Sequence, residues 1–509
     1  MVGGNDRPTP LSEVSDAPPD RRRWAALAVL CTATFIVILD GSIVFVAVPP
    51  MTVELGLSAS AVQWMLSSYL LAFGGLLLLG GRMADLLGRR RIFMAGGVLL
   101  AVASLLCGLA PNAEILIGAR VLEGFAAAIM TPTALSILTT TFREGRERNR
   151  ALGFWASAGG VGGTTGALLG GPLNEWFGWG AIFLVNIPFA LAMVVLSPMV
   201  LKESYGRDRT RTFDVAGALT SSVAMVLLVY AIVDAPHAGW WTTQTIGLFA
   251  AVVVLLALFV RIEKRSAAPL VPLKYFRSRA FVGGNLVVLA VGMAVHGAMS
   301  FVTTQYAQAV LGYSAMQFGL MFSVMTLLSI VGSMLAGGVL IARFGQRAVA
   351  IGALTLIGLG CLAMVPISPQ GSFVSDMLLG MAIFGPGLGA GSVVGQSAAL
   401  SGVSERDAGV ASGMTTAAFM VGGSLGIAVL TTVTVAQTAG PTPAAITDGF
   451  SAAYAVGITF AVAGIIAAVT LLRGRHATVP TAVAGGAGTV QPIDTDDAGG
   501  PVDPGRRAA

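Results

Sequence analysis

Residues 34–48 read TFIVILDGSIVFVAV, a stretch whose single charged side chain is the carboxylate of Asp40. An ionised carboxylate is costly in a hydrocarbon-like setting unless it is paired, hydrated or protonated. The apolar run extends back to Trp24, so the segment is long enough to cross a hydrocarbon core of about 30 Å as a helix. The stretch therefore predicts a transmembrane helix that holds an acid within its apolar length.

Apolar runs of this kind recur along almost the whole chain of 509 residues, of which 55% are hydrophobic and 11% charged. An ordinary soluble domain has about 25% charged residues, so the composition indicates an integral membrane protein. The runs lack the alternation of a barrel, and backbone groups in lipid must be satisfied within the segment, which leaves helices. We predict fourteen spans, at residues 24–46, 61–80, 92–110, 115–139, 151–172, 180–200, 215–233, 245–260, 281–303, 317–341, 347–366, 375–399, 408–435 and 452–472.

The positions of the basic residues predict the orientation. If the N-terminus is cytoplasmic, 29 of the 30 Lys and Arg residues fall in cytoplasmic segments, and the remaining one, Arg120, lies inside a span. Cytoplasmic loops of membrane proteins collect Lys and Arg, so both termini are expected inside. The same placement explains the basic pI of about 9.4 without a nucleic-acid partner.

Two long charged segments divide the spans. KESYGRDRTRTFD (202–214) follows six spans, and RIEKRSAAPLVPLKYFRSR (261–279) precedes the last six. GGRMADLLGRRR (80–91) has a weaker counterpart in GGVLIARFGQR (337–347), which predicts an internal duplication of the kind that builds transporters from parallel repeats. The predicted organisation is a cytoplasmic tail (1–23), an N-terminal six-helix bundle (24–201), a linker with two inserted helices (202–279), a C-terminal six-helix bundle (280–473) and a disordered cytoplasmic tail (474–509).

The stretch GGRMADLLGRRR resembles the signature loop of the major facilitator superfamily, Gly-x-x-x-Asp-Arg/x-x-Gly-Arg-Arg/Lys. Arg82 lies in the same loop, and the residues that match the pattern in place are Gly81, Asp85, Gly88, Arg89 and Arg90. Glycines permit a tight turn and close helix approach, and an aspartate can accept hydrogen bonds from an arginine or a helix N-terminus. The resemblance implies an all-α major facilitator fold, whose loop acts as a conformational switch; the alternative is an ordinary basic loop.

Further motifs resemble those of the fourteen-helix drug:proton antiporter family. LDGSIVFVAVP (39–49) is similar to its first-helix motif, and LIGARVLEGFAAA (116–128) to its fourth-helix motif with a membrane-embedded arginine. WGAIFLVNIPFA (179–190) keeps part of the sixth-helix entry. GGVGGTTGALLGGPL (159–173) resembles the antiporter glycine motif through Gly162, Gly166, Gly170 and Gly171, with Ala167 in place of the usual proline.

The depth of the charged residues suggests a proton-coupling cluster. Asp40 and Arg120 lie about 8 Å below the outer edge of their spans at 1.5 Å per residue, so they can pair. Glu123 follows Arg120 by three positions, on the same helical face. Two carboxylates around one arginine in low dielectric can hold or release a proton. The alternative is a static ion pair that only fixes helix packing.

Other polar and small residues in the spans are weaker candidates. His296, Gln305, Tyr306 and Gln308 could face a central cavity, although a packing role is the more common one for a histidine such as His296. The cysteines all lie in apolar runs and are interpreted as packing residues rather than metal or redox groups; they are Cys31, Cys107 and Cys361.

The resemblance implies a proton-driven exporter of drugs or antibiotics that works by alternating access in a bacterial plasma membrane. We expect a monomer in the lipid bilayer, an amphipathic or cationic small-molecule substrate, and no cofactor, because the chain has no Gly-Lys-Ser/Thr phosphate loop and the proton gradient would drive transport. The alternatives are a proton symporter that imports a nutrient, or a membrane sensor or enzyme. The sequence shows no constellation of catalytic residues for an enzyme.

Overall fold

A computed structural model describes residues 22–142, 146–205, 215–239, 241–266, 273–403 and 407–472, and these residues form helices and turns with no β-strand. The tail 474–509, nearly all of the tail 1–23 and parts of the linker 202–279 lie outside the described residues.

The first six helices follow one another closely along the chain. Several begin at a polar cap, such as Ser58 before α2 and Asn112 before α4, whose side-chain oxygens accept hydrogen bonds from backbone amides of the first turn. Such caps satisfy donors that the helix itself leaves free. The helices are α1 (Arg22–Glu54), α2 (Ala59–Leu87), α3 (Arg89–Gly108), α4 (Ala113–Thr141), α5 (Arg146–Phe177) and α6 (Ala181–Val200).

Two inserted helices and a second group complete the chain. Helix α10 contains a break at Gly345, which divides it into α10a and α10b. The helices are α7 (Val215–Ala238), α8 (Thr243–Arg265), α9 (Arg279–Val310), α10 (Ala315–Ala363), α11 (Phe373–Leu400), α12 (Ala408–Gln437) and α13 (Pro443–Leu471), with a short 3₁₀ turn at Leu273–Arg277 before α9.

The helices overlap every predicted span and confirm the all-α membrane architecture. Eleven helices of the described residues are long and apolar enough to cross a membrane, with α10 counted once. Helix α5 is outside that group, because its glycines and the charged residues near its ends lower its hydropathy, and α7 also falls outside it. The count of fourteen spans stays a prediction.

Two glycines interrupt helices at equivalent positions of the predicted duplication. Gly88 separates α2 from α3 with a φ of 108°, and Gly345 separates α10a from α10b with a φ of 81°. Each lies eight residues after the first glycine of a Gly-Gly pair, Gly80 and Gly337. Side chains with a Cβ rarely adopt this left-handed region, so the turn itself requires glycine in both places.

Two long helix crossings connect the first six helices to the last six. Helix α2 packs on α12, and α5 packs on α10a. In the predicted duplication these two crossings are equivalent, since each joins the second helix of one group to the fifth helix of the other. The inserted α7 packs on both α2 and α12.

Candidate functional site

Asp40, Arg120 and Glu123 meet inside the first group of helices. Arg120 Nη1 donates to Asp40 Oδ2 at 3.0 Å and to Glu123 Oε2 at 2.7 Å. All three side chains are at most 1% exposed. The structure therefore places the arginine of α4 between a carboxylate from α1 and a carboxylate one turn along its own helix.

Aromatic rings hold the guanidinium from the side. Its carbon lies 4.2 Å from the centre of the Tyr69 ring on α2 and 5.7 Å from that of Phe183 on α6. The Tyr69 hydroxyl donates to the backbone carbonyl of Val37 at 3.0 Å. Helix α2 reaches this position because Gly124 of α4 has no side chain; a Cβ there would collide with the Tyr69 carbonyl.

A second layer of polar side chains joins the two carboxylates. Ser104 Oγ donates to Glu123 Oε1 at 2.7 Å, and Cys107 Sγ donates to Glu123 Oε2 at 3.3 Å. Asn186 Nδ2 donates to Asp40 Oδ1 at 2.8 Å and to Ser104 Oγ at 3.2 Å. Five helices, α1, α2, α3, α4 and α6, thus contribute to one buried polar cluster.

The net charge of the cluster favours the binding of a proton. Two ionised carboxylates and one guanidinium carry a net charge of −1, and a single added proton makes the cluster neutral. A net charge in a water-excluded interior is costly. The site is therefore suited to take up one proton and to release it when the surroundings of a carboxylate change.

The α2–α3 turn is held by ionic contacts. Arg89 donates to Asp85 Oδ1 through Nε at 3.1 Å and through Nη2 at 2.8 Å. Gly81 lies opposite Pro132 of α4, and Arg82 is partly buried. Asp85 therefore accepts from an arginine, one of the two partners expected for it.

Glu203 occupies the other expected place, the helix N-terminus. Its Oε1 accepts from the Arg90 backbone amide at the start of α3, 3.0 Å away, and its carboxylate lies within 3.8 Å of the Arg90 and Arg91 side chains. The turn is thereby fastened to the start of the segment that follows α6.

The glycine motif of α5 serves two different neighbours. Gly162, Gly166 and Gly170 face α1, where a Cβ would meet Phe35, Ser42 or Val46. Gly171 instead faces Met316 of α10a in the other group. Three glycines thus permit close packing within one half, and the fourth permits close packing between the halves.

The four polar candidates on α9 have different surroundings in the structure. His296 lies between Phe45 of α1 and Phe419 of α12, with ring centres 6.2 and 5.1 Å away. Gln308 Nε2 donates to the Val46 carbonyl of α1 at 2.9 Å. Gln305 is half-buried, and its Oε1 has no hydrogen-bond partner among the described residues.

Tyr306 faces the interior of the last helices, whereas the sequence suggests that it faces a central cavity. Its side chain is fully buried among the last helices, and its hydroxyl donates to the Ser368 carbonyl at 2.7 Å and to Asp376 Oδ2 at 2.5 Å. A phenol in an apolar interior needs a partner, and these partners lie near the α10b–α11 connection.

Sequence reasoning missed several members of the site. Ser104 and Cys107 are uncharged residues in an apolar run, where the sequence predicts a packing role for Cys107. Their spacing of three on α3 places them on one face, which was the available signal. Asn186 lies in WGAIFLVNIPFA (179–190) and Glu203 in KESYGRDRTRTFD (202–214), and neither stretch by itself indicates a partner for these side chains.

Comparisons with known proteins agree with this architecture. Residues 30–427 match the family model described as Major Facilitator Superfamily. The chain is 36% identical to the puromycin resistance protein pur8 of Streptomyces alboniger over 461 residues, covering 89% of this chain and 91% of that protein. It is 37% identical to the cephamycin export protein CmcT of Amycolatopsis lactamdurans over 442 residues, covering 85% of this chain and 89% of that protein.

A solved structure shows the same fold. It is a bacterial homolog of the human lysosomal transporter Spinster in an inward-facing and unoccupied conformation, with a TM-score of 0.63 and 18% identity, covering 89% of this chain and 98% of that one.

Proposed function

Because this chain belongs to the major facilitator superfamily, we propose that it is a proton-coupled exporter of antibiotics or other drugs in a bacterial plasma membrane. Both termini face the cytoplasm, and the protein works as a monomer without a cofactor. The substrate is an amphipathic or cationic small molecule. The relatives named as resistance or export proteins support this direction of transport.

The observation that carries the proposal is the buried cluster of Asp40, Arg120 and Glu123. A net charge of −1 in a dry interior favours uptake of one proton from the side to which the cluster is open. Movement of the two halves changes which side has access, so the proton is released into the cytoplasm. Export of the substrate in the opposite half-cycle makes the exchange an antiport.

The neighbouring helices couple protonation to conformation. Asp40 is on α1 and Arg120 is on α4, and α1 also contacts α9 in the other half through Gln308. Protonation of Asp40 weakens its attraction to Arg120, which changes the energy of any state in which α1 moves relative to α4. The cluster can thus bias which side of the protein is open.

Reconstituted protein tests the proposal. Purified protein in liposomes is given an imposed pH gradient, and uptake of puromycin and of the dye ethidium is measured. We expect transport against the proton flux in the wild type and loss of pH-driven transport in Asp40→Asn. The control is Asp448→Asn, an exposed aspartate on α13, which should transport normally.

Two results would contradict the proposal. Movement of the substrate in the same direction as the protons would indicate a symporter that imports its substrate. Full pH-driven transport by Asp40→Asn would remove the cluster from the coupling mechanism.

A further inference from the structure

Asn186 of α6 and Ser104 of α3 form a continuous hydrogen-bonded bridge between the two carboxylates. From Asp40 Oδ1 the bridge runs to Asn186 Nδ2 over 2.8 Å, to Ser104 Oγ over 3.2 Å and to Glu123 Oε1 over 2.7 Å. All four side chains are fully buried. The bridge is separate from the ionic contacts through Arg120.

The direction of each hydrogen bond in the bridge matches two ionised acids. Asn186 has two amide protons, one for Asp40 and one for Ser104, and the Ser104 hydroxyl proton goes to Glu123. The amide oxygen of Asn186 is buried and has no hydrogen-bond partner among the described residues. Buried acceptors are normally paired, so this oxygen is an acceptor that the observed arrangement does not use.

Protonated Asp40 would provide a donor for the amide oxygen of Asn186. When Asp40 takes up a proton it becomes a donor, and a half-turn of the Asn186 amide would present Oδ1 to that donor. The same turn removes the amide proton from Ser104 Oγ, which alters the hydroxyl that donates to Glu123. An amide is suited to this exchange because it carries both a donor and an acceptor on the same planar group.

We propose that Asn186 and Ser104 are positioning residues that couple Asp40 to Glu123, so that the two carboxylates bind one proton as a single unit. This inference rests on the proposed proton-coupling function and extends it to residues that do not carry the proton. The other groups facing the bridge are Arg120 and Tyr69, from α4 and α2, and Cys107 from α3. They surround the carboxylates but do not link Asp40 to Glu123 through neutral hydrogen bonds.

The experiment is an infrared titration of the carboxylic acid C=O band in purified protein reconstituted in liposomes without substrate. The band is assigned by its loss in Asp40→Asn/Glu123→Gln. In the Asp40→Asn background, Glu123 is the member of the cluster that still titrates. Asn186→Leu removes the amide that polarises the Ser104 hydroxyl, so the hydrogen bond from Ser104 to ionised Glu123 weakens and the Glu123 midpoint is expected to rise. The rise is at most about one pH unit, which is what a hydrogen bond to a charged group is worth.

Ser104→Ala provides the decisive comparison. If the bridge transmits the effect, adding Asn186→Leu to Asp40→Asn/Ser104→Ala gives no further shift of the Glu123 midpoint. An Asn186 side chain that only fills space would give the same small effect with or without Ser104. An unchanged Glu123 midpoint in Asp40→Asn/Asn186→Leu would overturn the proposal.

Two matched controls account for general effects of the substitutions. Asn285 on α9 donates through Nδ2 to the Phe281 carbonyl at 2.8 Å, and its Oδ1, like that of Asn186, is without a partner among the described residues. Ser197 on α6 is fully buried and donates to Met193 of its own helix. Asn285→Leu and Ser197→Ala should leave the Glu123 midpoint unchanged, and a shift in either would show that the method responds to packing alone.

The titration separates this inference from the proposed function. It uses no substrate, so a protein that fails to export puromycin can still show the effect of Asn186 on the Glu123 midpoint through Ser104. Conversely, normal proton-driven export together with an unshifted Glu123 midpoint would retain the function and reject the bridge.

Discussion

Arg120 binds two carboxylates through a single nitrogen and stacks on an aromatic ring. Both ionic hydrogen bonds leave from Nη1, and the Tyr69 ring lies under the guanidinium carbon at 4.2 Å. Its Nε is buried without a partner among the described residues. The planar, delocalised cation is suited to this place because it is weakly hydrated and can stack, whereas an ammonium is a compact, strongly hydrated charge.

Arg120→Lys should therefore impair transport although the positive charge is kept. We expect pH-driven transport to fall at least about tenfold, because the lost stacking and the desolvation of the ammonium together cost about 1–2 kcal/mol or more. Uptake of ethidium by reconstituted protein measures the effect. The control is Arg343→Lys, since Arg343 also lies over a ring, Phe344 at 5.4 Å, but is exposed. Equal activity of the two variants would show that only the charge of Arg120 matters.

At the scale of the elements, the α1–α5 contact depends on a line of glycines. A Cβ at Gly166 would collide with Ser42 Oγ and crowd the Leu39 carbonyl, whereas a Cβ at Gly160 on the same helix would meet nothing within 4 Å. Close approach of backbones is a main source of helix association in membranes. Because α1 carries Asp40, this contact also fixes the position of the acid.

Gly166→Ala is expected to destabilise the protein by about 1–3 kcal/mol, the usual cost of overpacking. Gly160→Ala should be neutral or slightly stabilising, since alanine is favoured over glycine in a helix. The measurement is the thermal unfolding midpoint of purified protein in detergent. If both variants unfold at the same temperature, the α1–α5 packing is not limited by the glycine.

The start of α3 depends on a carboxylate from a distant segment. Glu203 accepts a hydrogen bond from the Arg90 amide and lies near two arginines. A negative charge at a helix N-terminus satisfies free amides and complements the helix dipole. The α2–α3 turn is thereby tied to the chain after α6.

Glu203→Gln should lower the unfolding midpoint, because the loss of this charge costs about 1 kcal/mol. Glu54→Gln, at the exposed end of α1, removes the same charge where no such contact is described and should have no effect. Thermal unfolding at low and high salt measures both variants. An unchanged midpoint in Glu203→Gln would remove Glu203 from the stabilisation of the turn.

At the scale of the whole molecule, two hydrogen bonds join the first six and the last six helices at the end opposite to the α2–α3 turn. Gln308 donates to the Val46 carbonyl, and the Met316 amide donates to Glu175 Oε1 at 3.4 Å. The inserted α7 lies along the α2–α12 crossing, where Ser222 Oγ donates to the Gly75 carbonyl at 2.7 Å and Tyr230 packs on Trp64. The inserted α7 therefore braces one of the two crossings between the first six and the last six helices.

Alternating access requires the α5–α10a contact to open, so fixing it should stop transport. In a background with the three native cysteines replaced, Glu175→Cys/Met316→Cys joined by a short thiol cross-linker should lose substrate uptake and regain it after cleavage of the linker. The control pair, Thr34→Cys/Gly159→Cys, joins α1 to α5 within one half, where a Cβ at Gly159 would contact Thr34. Transport by the cross-linked first pair at the rate of the control pair would contradict a mechanism in which the halves separate there.

Much of this arrangement could be predicted because its causes are local in sequence. Long apolar runs specify helices wherever they occur, and the distance of a charge from the end of a run gives its depth. The sequence predicts equal depths for Asp40 and Arg120, and the structure brings Arg120 Nη1 within 3.0 Å of Asp40 Oδ2. The family was confirmed because its motifs are also local.

The depth of a residue along its helix does not tell which way its side chain faces. It also does not tell which residues of other helices contact that side chain. Tyr306 faces its own half for this reason, and Asn186 meets Asp40 across 146 positions of sequence. By itself, the sequence determined the helices, the family that their motifs resemble and the three charged residues of the site, since burying a charge or exposing an apolar run to water is costly in any fold. Only the tertiary structure decided that Ser104, Cys107, Asn186 and Tyr69 complete that site, because an uncharged polar side chain acquires its role from the partners that packing brings to it.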